Sequence, residues 1–120
     1  MTPAELVRAL KAEIVDGNIA IYRDLYRSTD RADVVDAHWA RVLRLFDSLE
    51  HEQETLLLEI VQQTIVDTVS NLLGVLDGSS PLPGVDEELW LGVGSDASGK
   101  LNGELQDTFL ELVEQESEQR

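Results

Sequence analysis

One long stretch of this chain carries apolar residues at a period that suits a helix. From Leu58 they recur at Val61, Ile65, Val69, Leu72 and Leu76, steps of three and four that share one helical face. Ile60, Val66 and Leu73 lie well off that stripe. A helix apolar on more than one side is central to its domain or shared with a second subunit. The expected helix covers 50–76, with Glu50, Glu52 and Glu54 favouring its amino-terminal dipole and Asp77-Gly78 ending it.

Three further helices are predicted. Thr2-Pro3-Ala4-Glu5 combines a capping box with proline at the first helical position. It starts a helix over 3–27 with Val7, Leu10, Ile14, Ile21 and Leu25 on one face. Asp16-Gly17-Asn18 interrupts this run, yet Ile14 and Ile21 are two turns apart in register, so the spacing favours one helix bent at Gly17. A second helix over 31–48 carries Val35, Trp39, Val42, Phe46 and Leu49, with Ser48 as the cap of the next helix. The last, over 103–116, starts at Asn102 and carries Leu105, Phe109 and Leu112. Residues 78–101 are rich in Gly, Ser and Pro and read as a loop or short β-hairpin turning at Gly94–Gly99. The expectation is one mainly all-α domain over 1–120, a compact four-helix fold with about 65–75% of its residues helical.

Charge is distributed unevenly. Residues 1–49 hold eight acids and seven bases, whereas residues 50–120 hold sixteen acids against only Lys100 and Arg120. From Glu50 to Gly99 there is no Lys or Arg. A net charge of −15 disfavours a nucleic-acid backbone or an anionic membrane as partner. It suits either a solvated face that keeps the protein soluble or a surface that meets a basic protein. The absence of cysteine excludes disulfides, cysteine-zinc sites and thiol catalysis, and fits a reducing, cytoplasmic setting. No apolar run reaches the length of a membrane span, and the stretch MTPAELVRAL lacks a signal-peptide pattern.

Motifs of catalysis are sparse. There is no glycine-rich phosphate loop, no GxSxG and no HExxH. His38 beside Trp39 reads as a partly buried structural histidine, and His51 sits among first-turn acids. The stretch from Asp96 to Asp107 superficially resembles an EF-hand loop. It fails where the chemistry is strict, because Lys100 takes a ligand position and Leu101 replaces the turn glycine. Glu111 and Glu114 have the ExxE spacing used by metal-dependent helical nucleotide hydrolases, with Arg23, Arg27, Arg41 and Arg44 available for phosphates. Acids three apart are common on any acidic helix, so no metal or cofactor is implied.

The sequence thus reads as a non-enzymatic acidic interaction domain, of the kind that inhibits or confers immunity by masking a basic protein such as a nuclease. Its candidate contacts are Glu87, Glu88 and Trp90, because a tryptophan beside acids in a loop suits an interface anchor, whereas the competing reading is that Trp90 pins the loop to the core. The alternatives are the metal-dependent hydrolase and a self-associating structural domain. A homodimer is expected, because four helices are too few to cover all of Ile60, Val66 and Leu73.

Overall fold

The computed structural model describes residues 1–94 and 99–119. About 70% of these are helical, in four helices and no strands. Helix α1 is continuous through an α segment (Pro3–Leu10), a π segment (Lys11–Asp16) and a second α segment (Gly17–Ser28). Then come a short 3-10 turn (Arg31–Asp33), α2 (Ala37–Asp47), α3 (His51–Asp77) and α4 (Leu105–Glu118).

The capping box at the start of α1 forms as expected. Glu5 N–H donates to Thr2 Oγ1 and Thr2 N–H donates to Glu5 Oε2, both at 3.1 Å. Gly17 neither ends the helix nor breaks it: its φ and ψ are −62° and −46°, and its N–H bonds the Ala12 carbonyl five residues back. That wider turn changes which residues face inward. Val7, Lys11, Val15 and Ile19 are the buried residues of this stretch, each four apart. In pure α geometry, three steps of four drift by roughly 120°. The π segment absorbs the drift and holds the row on the core side. The expected stripe is therefore displaced, and Ile14 and Ile21 lie exposed, Ile21 by 56%.

The second helix starts later than its apolar spacing predicts. Asp30 accepts from Ala32 N–H at 3.0 Å and caps the 3-10 turn. Asp36 accepts from Trp39 N–H at 3.0 Å and caps α2. Two aspartate caps six residues apart leave β-branched Val34 and Val35 in the extended link between them. Val35 is consequently 99% exposed instead of packed. Arg31 fastens the link, donating to both carboxylate oxygens of Asp47 at 2.9 and 2.7 Å and to the carbonyls of Thr29 and Tyr26. His38 is exposed, not partly buried as Trp39 beside it suggests. Ser48 closes α2 through a bond to the Leu45 carbonyl, and Glu50 takes the cap position of α3 in place of Ser48.

Two apolar clusters hold the helices together. One joins Val7 and Val15 of α1, Val66 and Leu73 of α3, and Leu105 and Phe109 of α4. The other joins Tyr26, Leu43, Phe46 and Leu58, with the Tyr26 ring 5.2 Å from Phe46 and 6.0 Å from Trp39. Only α1 and α3 reach both clusters. Over 27 residues α3 runs about 40 Å, and the molecule measures 54 × 36 × 27 Å. The chain itself thus covers Val66 and Leu73, two of the three residues expected to need a partner, while Ile60 remains 54% exposed.

Residues 78–101 form no hairpin in their described part. A single bridge residue, Val93, and one backbone bond from Leu101 N–H to the Leu91 carbonyl at 2.8 Å replace a ladder. An isolated two-stranded ribbon is marginal, and here side-chain bonds to the helices hold the segment instead. The centre of the expected turn, Ser95 to Ser98, and the EF-hand-like Asp96 lie outside the described residues.

Burial sets the expected mutational costs. Phe46→Ala and Phe109→Ala should each lose about 3–5 kcal/mol in chemical denaturation, as buried aromatic anchors. Val35→Ala should stay within about 0.5 kcal/mol of the parent, because its side chain touches almost nothing. A large loss at Val35 with little at Phe46 would contradict this packing.

Candidate functional site

The site is built where α3 ends and α4 begins. Gly78 comes after α3 in the left-handed region, φ +82°, and the N–H groups of Ser79 and Ser80 return to the Gly74 carbonyl at 3.0 and 3.1 Å. Asp77, the last residue of α3, then reaches across to α4. Its Oδ1 accepts from Gly103 N–H at 2.6 Å and Leu105 N–H at 3.1 Å, and its Oδ2 accepts from Gln106 N–H at 2.8 Å. A carboxylate on unpaired first-turn donors answers both their hydrogen-bonding demand and the helix dipole. The cap of α4 is thus Asp77 from another helix, not the neighbouring Asn102.

Asn102 has a different task. It is buried, and its amide donates to the Leu76 and Leu89 carbonyls while its Oδ1 accepts from Leu91 N–H at 2.8 Å. One side chain therefore ties the segment on either side of Trp90 to the end of α3. Gln106 adds a second tie, donating to the Ser70 carbonyl and hydroxyl at 3.0 and 3.1 Å. Ser70 is accordingly buried and bonded, whereas Asp67 and Asn71 on the same helix stay in water. Gly74 makes room for this contact: a Cβ there would lie 2.8 Å from Ser80 Oγ and 2.9 Å from the Gln106 amide.

On this fixed base the three residues singled out from sequence come together at the surface. Glu87 and Glu88 are exposed, and Trp90 is 65% exposed. The indole is therefore no core pin for the loop. Lys100 sits 5.7 Å over its ring and pairs with Glu88. That hydrogen bond holds the Glu88 carboxyl below the usual glutamate range. Asp86, Glu87 and Glu88 also line an open cleft of about 320 Å³ beside Val75, Leu76 and Leu82. Glu111 and Glu114 lie exposed on α4, with Glu111 accepting from Gln115. Among the described residues no three His, Cys, Asp or Glu gather as a metal would need. His51 is exposed at the start of α3.

A buried charge is the feature that apolar spacing missed. Lys11 is only 3% exposed and pairs with Asp16 at 2.7 Å and with Glu116. Burial pulls its pKa down, but the bonds to the two carboxylates outweigh that and hold it above the ordinary lysine value. The only sequence signal is its i+4 place between Val7 and Val15. The link joins α1 to the acidic α4.

No helix among the described residues is long and apolar enough to cross a membrane. Comparison with protein-family models, curated proteins and solved structures found no match.

These contacts set two expected outcomes. Asn102→Ala should destabilise by about 2–4 kcal/mol, since it orphans two carbonyls and an N–H in a buried place. It should also change Trp90 fluorescence by releasing the loop. For Lys11 the raised pKa means that its stabilisation is fully present below the unfolded lysine value, about 10.4, and is lost as pH rises through the higher folded value. The stability difference between the parent and Lys11→Met should therefore stay flat near neutral pH and shrink only in strong alkali.

Proposed function

We propose that the chain is a non-enzymatic protein-interaction domain that masks a basic surface on a protein partner, in the manner of an inhibitor or immunity protein, and that it works in the cytoplasm. The observation that carries this reading is Trp90. A tryptophan left in water, beside Asp86, Glu87 and Glu88 on a segment clamped by Asn102, is already ordered for binding. Little conformational entropy remains to be lost on contact. Interface hot spots favour tryptophan, and the surrounding carboxylates attract and orient a cationic partner. The acidic outer residues Asp107, Glu111 and Glu114 of α4 extend the negative surface. A homodimer is the second reading, favoured by Ile60 and by Leu72, which is 60% exposed.

Affinity capture from a cell lysate, then binding kinetics on the captured protein, tests the first reading. The captured protein should be basic, and its association rate should fall steeply with salt, because the Debye length is only about 10 Å at 0.1 M. Reversing Glu87 and Glu88 to Lys should slow association without unfolding the domain, the lost exposed Glu88–Lys100 pair lowering the melting temperature only slightly. Trp90→Ala should weaken binding by roughly thirtyfold or more, as truncation of a hot-spot residue does, at unchanged stability. If neither change touches the kinetics at low salt, the acidic surface serves solubility alone.

A further inference from the structure

We propose that Trp90 and Glu88 form a receptor for an arginine side chain of the basic partner, and that Lys100 occupies this receptor until that arginine displaces it. The inference rests on the masking function above and names the chemistry by which that surface takes hold. Lys100 is the one base in residues 50–119. Its ammonium lies 5.7 Å from the centroid of the Trp90 ring, within cation–π range, and donates to Glu88 Oε1. An aromatic face and a carboxylate thus converge on one cation, and the chain's own ammonium marks the spot.

The backbone holds the indole and Lys100 in place. Asn102 fixes Leu89 and Leu91 on either side of Trp90. The bond from Leu101 N–H to the Leu91 carbonyl, at 2.8 Å, draws Lys100 alongside. Gly92 completes the seat. A Cβ there would stand 3.2 Å from Trp90 Nε1 and 3.4 Å from the Gly99 carbonyl oxygen, so a side chain would push the indole edge away. With Lys100 in place the site is only part-filled. Trp90 is still 65% exposed, and Glu88 Oε2 accepts no hydrogen bond among the described residues. An ammonium is a compact, strongly hydrated point charge. A guanidinium is planar and more weakly hydrated, stacks on an indole, and can engage both oxygens of a carboxylate. Arginine therefore gains more from these two walls than Lys100 does, and the freed ammonium returns to water. The exposed carboxylates of Asp86 and Glu87 draw cations to the same place. The partner binds only chains that Lys100 has vacated, so its affinity is reduced by that fraction, and weaker cations are turned away.

The chain has two lysines and Lys11 is buried, so lysine-selective isotope labelling reports Lys100 directly by NMR. Its methylene signals should be shifted upfield by the indole and return towards free-lysine values as a blocked pentaarginine peptide is added. Pentalysine of equal charge should bind roughly threefold more weakly or worse, and Trp90→Ala should erase that preference. Lys100→Met should raise pentaarginine affinity roughly threefold or more, because it empties the site. Lys100→Arg keeps the charge and seats a better occupant, so it should lower the affinity. Arg44→Met makes the same change in net charge on α2 and should stay within about twofold of the parent. The proposal is overturned by a pentaarginine peptide that does not bind, by lysine signals that stay put at saturation, or by equal affinity for the two peptides. Equal gains from Lys100→Met and Arg44→Met overturn it too. A captured basic protein that needs Trp90 but binds Lys100→Met no better overturns the proposal and leaves the masking function standing. Displacement of Lys100 by pentaarginine, with no basic protein captured, supports the arginine receptor and takes away the masking function.

Discussion

A helix of about 40 Å that is apolar on more than one side must find cover along its whole length. In this chain α3 imposes that demand and the other helices answer it piecemeal. Only α1 runs alongside from one cluster to the other. Short α2 closes one end through Leu43 and Phe46, and short α4 closes the other through Leu105 and Phe109. The two clusters, the drawn-out outline and the uncovered Leu72 are consequences of the same mismatch in length.

The adjustment inside α1 serves this arrangement. A row of four-residue steps from Val7 to Ile19 faces the core because the π segment widens the turn. That segment also brings Lys11 inward, where Asp16 and Glu116 neutralise it. Burying an unpaired ammonium would cost several kcal/mol, so the two partly exposed carboxylates are required and not decorative. Position and charge are thus coupled: the register that packs Val15 also places the cation that ties α1 to the acidic last helix.

The acidic second half is not balanced by the bases of the first. Lys11 with Glu116 is the one ion pair joining the two halves among the described residues. Carboxylates collect around the segment before α4, while Arg41 and Arg44 stand apart on α2. Of that segment's apolar side chains, Leu101 is buried and Leu91 packs on the first cluster. Polar bonds from Asn102 and the left-handed turn at Gly78 order it, and Asp77 anchors its far end by capping α4. Trp90 can therefore remain exposed on a fixed backbone.

The helical class, the four elements and the carboxyl end of α3 were legible from periodicity and caps, since these depend on residues close in sequence. The stop at Gly78 and the box at Thr2 belong to that group, and Glu87, Glu88 and Trp90 stood out by composition alone. Tertiary structure decided the rest. It chose the buried face of α1, because the π segment shifts the register without altering residue spacing. It drew Val66 and Leu73 into the core, because helices distant in sequence cover them. It gave the cap of α4 to Asp77 in place of Asn102, and it freed Asn102 to clamp the loop. Each of these outcomes turns on which distant groups meet across a gap of a few ångströms, and local spacing carries no information about that.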